Sequence, residues 1–138
     1  MIKVALILAC TTTGALAQSS MPEVRFVPAI DNPVLVASAR PAVLVRQMLV
    51  DRDGMTLYAL AEEWEGKPIC YGQCQAEWPP LLAIEAAQPV GHFTVVERHD
   101  FTRQWAYRGQ PLYRHAFDSA PGDTKGVGFW EVWDIVLQ

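Results

Sequence analysis

Beyond Asn32-Pro33 every apolar run stops within a strand's length at a glycine, a proline or an Asp-rich turn. That punctuation is the tightest constraint on what the chain can fold into. Val34–Ala37 and Ala42–Val50 are β-branched and apolar. In the second run Val43, Val45 and Leu49 share one face, with Leu44, Met48 and Val50 on the other. Asp51-Arg52-Asp53-Gly54 supplies a turn, and Met55–Leu60 returns as the partner strand of a hairpin. Phe93–Glu97 and Gln104–Tyr107 read as a second hairpin across His99-Asp100-Phe101-Thr102, and Arg108-Gly109-Gln110 turns into a strand at Leu112–Phe117. The end is a strand in which Trp133, Ile135 and Leu137 face one way. Between the hairpins, Gln75-Ala76-Glu77-Trp78 is set to make one helical turn that Pro79-Pro80 stops. Strands this short, this close and this regularly interrupted predict a mainly β fold: a small antiparallel sheet, roll or sandwich.

The first residues set the compartment. Met1-Ile2-Lys3 carries one positive charge, Val4–Ala15 is apolar or small, and Ala15-Leu16-Ala17 precedes Gln18. This is the charged, apolar and A-x-A sequence of a secretory signal peptide over residues 1–17. It is too short for the roughly 20 apolar residues that span a bilayer. Cleavage after Ala17 implies a periplasmic or secreted protein. Ile7-Leu8-Ala9-Cys10 also passes as a lipobox, so lipidation of Cys10 and anchoring in the envelope is the alternative. Residues 18–33 lack periodicity and predict a flexible or irregular arm, leaving residues 34–138 as one β domain. The formal charge is −4, and −5 once Lys3 leaves with the leader. That acidity argues against nucleic acid or anionic lipid as partner, since both require a basic patch. A membrane enters this reading only through a lipidated Cys10.

Cys70 and Cys74 remain after cleavage, and an even count in an exported chain predicts a disulfide. The chain also repeats itself weakly. Gly54-x-x-Leu57-Tyr58-x-Leu60-x-x-Glu63 parallels Gly109-x-x-Leu112-Tyr113-x-His115-x-x-Asp118, within stretches at about 45–85 and 93–137. Two related β units, each too small to bury its own apolar face, would then pack together.

Three stretches in order carry a resemblance: Cys70-Tyr-Gly-Gln-Cys74-x-x-x-Trp78-Pro79-Pro80-Leu81, Arg103-Gln104-Trp105-Ala106-Tyr107-x-Gly109-x-Pro111-Leu112-Tyr113, and Pro121-Gly122-Asp123-Thr124-x-Gly126. The chain resembles, over roughly residues 45–137, the bacterial secreted-repeat family of predicted lipoproteins with a Yx(FWY)xxD motif. It departs from that motif at Leu60, Glu63 and His115, and Phe129-Trp130-Glu131 stands where glycines are usual before the last tryptophan. The resemblance implies export and a β repeat. The family has no settled function, so it implies no catalytic residues.

Several residue sets could nevertheless carry chemistry. Cys70 and Cys74 could be a redox dithiol, making the chain a thiol-disulfide oxidoreductase. The spacing is one residue longer than Cys-x-x-Cys and no βαβ pattern surrounds it, which favours a structural bond. His92, His99 and His115 with Met48 and Met55 could hold copper, His99 and His115 being the better candidates, and would make a metal or redox-cofactor carrier. Asp118 and Asp123 lie in a Gly- and Asp-rich loop without EF-hand spacing. The domain is rich in aromatics, and Tyr58, Trp105, Tyr107, Tyr113, His115, Asp118 and Asp123 are the candidate ligand surface. No G-x-S-x-G, H-E-x-x-H or phosphate loop occurs, and the sequence requires no cofactor. The reading that follows is an exported, non-catalytic binding or envelope-associated module, acting on a small ligand or an envelope protein.

Overall fold

A computed structural model describes residues 24–28 and 47–138. The leader, Cys10, the run Val34–Ala37 and the start of the run Ala42–Val50 lie outside the described residues. Among these residues seven short strands, β1 (Val24–Pro28), β2 (Gln47–Asp51), β3 (Tyr58–Leu60), β4 (Phe93–Glu97), β5 (Arg103–Tyr107), β6 (Gln110–Pro111) and β7 (Trp133–Ile135), are joined by turns, one α-helical turn, α1 (Gln73–Glu77), and short 3-10 turns at Ala61–Glu63 and Phe129–Glu131. All named pairings are antiparallel: β1 with β2, β3 with β7, and β4–β5–β6 in one ladder. The fold is mainly β, in small antiparallel sheets, and Cys70 and Cys74 are joined by a disulfide.

Two sequence expectations are corrected. Residues 24–28, expected in an irregular arm, form β1 and pair along β2 from Val24↔Asp51 to Pro28↔Gln47. Leu112–Phe117 is not a continuous strand. Tyr113 bridges both Tyr58 and Pro80, and Asp118 N then donates to His115 O, which turns the chain. A residue held from both sides fixes the register without a long ladder, and the turn brings Asp118 back over Tyr58.

Period-two alternation decides which side each residue takes. Leu57 and Ala59 enter one core, with Leu49, Trp105, Tyr107, Leu112 and Val136. Tyr58 and Leu60 enter a second, with Cys70, Trp78, Tyr113 and Trp133. The two cores lie on opposite faces of the same strand segments. The turn at Asp51–Gly54 is closed by Gly54 at φ 83°, a conformation that glycine adopts without a Cβ penalty. Its counterpart, Gly109, has the same φ of 83°.

The backbone bonds obey an internal two-fold. Tyr58 N donates to Tyr113 O (2.8 Å) and Tyr113 N to Tyr58 O (2.9 Å), which puts the two motif tyrosines on the axis. Ala61 N–Val132 O is matched by Ala116 N–Glu77 O, and Val136 N–Leu57 O by Leu81 N–Leu112 O. Each bond maps onto its mate by one constant step along the chain, 61 to 116 and 81 to 136. The β1–β2 pair Phe26↔Leu49 has a counterpart in the β4–β5 pair Val95↔Trp105, shifted by one residue from that step at Leu49 and Trp105. Each unit gives its last segment to the other: residues 81–83 bond Leu112, Trp105 and Arg103, whereas residues 136–138 bond Leu57, Leu49 and Gln47.

Candidate functional site

The two motif tyrosines donate across the axis. The Tyr58 hydroxyl bonds Asp118 Oδ2 (2.8 Å) and the Tyr113 hydroxyl bonds Glu63 Oε1 (2.8 Å), so each tyrosine meets the acid that closes the other unit's motif. Each acid also gathers backbone donors from the loop behind it. Glu63 Oε1 takes Ile69 N and Cys70 N, and Asp118 Oδ1 takes Lys125 N. Burial raises the pKa of both tyrosines, and their acid partners add to the shift. Glu63 is raised as well, because burial outweighs its three hydrogen bonds. Between the loops Trp78 and Trp133 stack with centroids 4.0 Å apart and planes within 2°. Gly126 N donates to the Tyr58 hydroxyl (3.3 Å) beside them.

Of the candidate ligand surface, Tyr58, Trp105, Tyr107, Tyr113, His115 and Asp118 are buried, and Asp123 is half-buried. The first six are packed into the two cores, and of them Tyr107 also lines an open groove. The structure gathers Tyr58, Tyr113, His115 and Asp118 in one core, while Trp105 and Tyr107 belong to the other. Asp123 accepts from Ser119 N, Ser119 Oγ and Ala120 N and pairs with Lys125 Nζ at 3.0 Å, which holds its carboxyl well below the usual range. His99 stacks on Tyr71 (3.4 Å) at the β4–β5 turn, and Asp100 there accepts from Thr102 Oγ1 and N, which lower its pKa. His115 packs on Trp78 (4.3 Å) with Nδ1 3.6 Å from Asp118 Oδ1. Among the described residues no three His, Cys, Asp or Glu side chains converge on a point.

The disulfide is tied into the same framework. Cys70 N bonds Glu63, and Cys70 O accepts from Arg98 Nη2 (2.8 Å). Arg98 is fully buried and also bonds Gln104 and Gln75. This arginine escaped the sequence reading, since nothing in Glu97-Arg98-His99 distinguishes it from a solvated turn residue.

The two-fold is broken on the outside. Three residues beyond Leu60 and His115 stand Glu63 and Asp118, and one residue before those acids Glu62 faces Phe117 as its counterpart. Glu62 is exposed and polar, whereas Phe117 is 64% exposed and apolar. Ahead of Trp78 runs the polar helical turn Gln73-Cys74-Gln75-Ala76-Glu77. Ahead of Trp133 runs Gly128-Phe129-Trp130-Glu131-Val132. Trp130 is 74% exposed and, with Glu131, adopts left-handed φ angles of 51° and 62°. That conformation costs a non-glycine residue roughly 1–2 kcal/mol. Rings run from Phe117 through His115 (5.4 Å) and Phe129 (6.2 Å) to Trp130 (4.9 Å). The first unit reaches the same hydrogen bonds with polar residues in these places, so the fold does not demand aromatics there. The signal in the sequence was the mismatch of Glu62 with Phe117 within the aligned motifs, together with the loss of glycines at Phe129-Trp130.

Two open grooves lie elsewhere. One, of about 260 Å³, is lined by Tyr107, Arg108, Gln110 and Asp134; the other, of about 510 Å³, by Lys67, Tyr71, Glu97 and His99. Neither includes the exposed rings of Phe117 and Trp130.

Fold and core therefore define a disulfide-clipped β protein made of two intertwined units. Residues 94–137, most of the second unit, match the model of a family described as a secreted repeat of unknown function, which supports an exported location. No curated protein and no solved structure matches the chain. The first unit, with the same hydrogen-bond pattern, lies outside the matched range.

Proposed function

We propose that the chain is an exported, non-catalytic binding module that acts in the cell envelope after cleavage near Ala17, and that its contact surface is the outer side of the second unit. The observation that carries this reading is the broken two-fold. Phe117 and Trp130 are exposed where the first unit has Glu62 and Gln75, so the fold does not require them there, and ring contacts through His115 and Phe129 join them into one apolar stretch, the kind of exposed surface that marks an interaction site. The buried groups whose protonation is shifted, Tyr58, Tyr113 and Glu63, are each engaged in hydrogen bonds inside the core, Tyr58 to Asp118 and Tyr113 to Glu63, which is a structural rather than a catalytic arrangement.

Envelope fractionation tests the reading. The wild-type chain, expressed in a bacterial host with its leader, is expected to partition with the envelope. The F117E/W130Q variant, which borrows polar side chains like those of the first unit, is expected to move to the soluble exported fraction. Unchanged partitioning of a folded variant would refute the assignment of this surface.

A further inference from the structure

Resting on that reading, we propose that the partner of this surface is a zwitterionic lipid surface, into which Phe117 and Trp130 insert. Eight large apolar side chains are exposed among the described residues, and five of them, Trp64, Ile69, Phe117, Val127 and Trp130, come from the two loops behind Glu63 and Asp118 or from their edges. Both loops border the same tyrosine–tryptophan core, since Glu63 and Asp118 are bonded to its two tyrosines. Phe117 and Trp130 are joined by a run of ring contacts through His115 and Phe129.

Shape and charge select the occupant. The rings of Phe117 and Trp130 stand exposed on turns, outside the two open grooves. Tryptophan and phenylalanine on projecting turns suit the boundary between headgroups and acyl chains, where an amphipathic ring has a polar rim and an apolar body. Insertion there needs no matching contour from the partner, unlike docking on a protein. The exported chain carries −5 in all, which anionic lipid repels, while at the rings themselves the exposed Glu131 beside Trp130 is offset by Lys125, whose Nζ donates to Phe117 O (3.0 Å). A zwitterionic headgroup layer leaves apolar insertion as the driving force for such a face. The inference widens the sequence expectation, which tied a membrane to Cys10 alone.

The test is co-flotation of the purified chain with phosphatidylcholine vesicles, read alongside tryptophan emission. Wild type is expected to float and to shift its emission to the blue. F117E/W130Q should lose at least fivefold in bound fraction, while F101E, which changes a still more exposed ring at the β4–β5 turn, should bind as wild type. Adding phosphatidylglycerol should weaken binding. The proposal is overturned if wild type stays unbound, if only anionic vesicles bind, if F117E/W130Q floats as well as wild type, or if the same substitutions instead abolish a concentration-dependent dimer in sedimentation. Should fractionation respond to the two substitutions while vesicles do not bind, the contact surface stands and only its lipid partner falls.

Discussion

Gly126→Ala places one methyl group in the tightest contact of the tyrosine–tryptophan core. The new carbon would lie 2.5 Å from Cη2 and 2.8 Å from Cζ3 of Trp78, and 3.0 Å from Cε1 of Tyr58. Neither ring is free to retreat. Trp78 is 1% exposed and stacked on Trp133, and Tyr58 is pinned through its hydroxyl to Asp118. Overpacking of this kind costs about 1–3 kcal/mol, and the rigidity of both neighbours puts the expectation at the upper end, about 3 kcal/mol. Gly128→Ala is the control. It has no heavy atom within 4 Å of its would-be Cβ but sits at φ 71°, so it should lose only the backbone term of about 1–2 kcal/mol. Urea unfolding followed by tryptophan fluorescence reads both. With a slope of about 2 kcal/mol/M, the midpoint of Gly126→Ala should fall by about 1.5 M and that of Gly128→Ala by less than 1 M. A Gly126→Ala midpoint equal to wild type, or above that of Gly128→Ala, would show that the core is looser than its stacking implies.

Three further outcomes can be checked on the same instrument. Tyr58→Phe and Tyr113→Phe should each cost about 1–3 kcal/mol, because each leaves a buried acid short of one donor. Reducing Cys70–Cys74, or replacing Cys74 with serine, should lower stability by about 2 kcal/mol, the chain-entropy value for so small a ring, with no loss of a turnover. Because the carboxyl of Glu63 is raised in the folded state, the folded protein holds more protons than the unfolded chain above pH 4.5. Stability should therefore fall as pH rises through that window, and Glu63→Gln should flatten this part of the profile measured by urea titration at successive pH values.

Much of the scaffold was legible because period-two alternation and glycine turns act locally. The β4–β5 hairpin, the helical turn before Pro79 and the disulfide all follow from residues close in sequence. The parallel between Tyr58…Glu63 and Tyr113…Asp118 was visible too, but not its meaning. Alternation assigns a face and names no partner, so the crossing of each tyrosine to the other unit's acid could not be read from either motif. β1 was missed for the same reason: Val24-Arg25-Phe26-Val27 has no turn leading straight into β2, and only the long-range pairing makes it a strand. Aromatic content in the sequence did not tell burial from exposure. Tyr58, Trp105 and Tyr113 are buried in the two cores, and among the exposed rings Phe117 and Trp130 stand where the first unit has polar residues.

The exchange of final segments also sets an order of assembly. A chain that crosses a membrane from its N-terminus delivers residues 81–83 ahead of the strand that receives them. Arg103, Trp105 and Leu112 therefore find their neighbour already waiting. Gln47, Leu49 and Leu57 emerge early yet receive Val136 and Gln138 only when the last of these residues has crossed. The first unit thus stays open at one edge for almost the whole passage, and the second unit's end is the clasp that shuts it. Damage at residues 136–138 would accordingly be felt first near residue 48, some ninety residues back along the sequence.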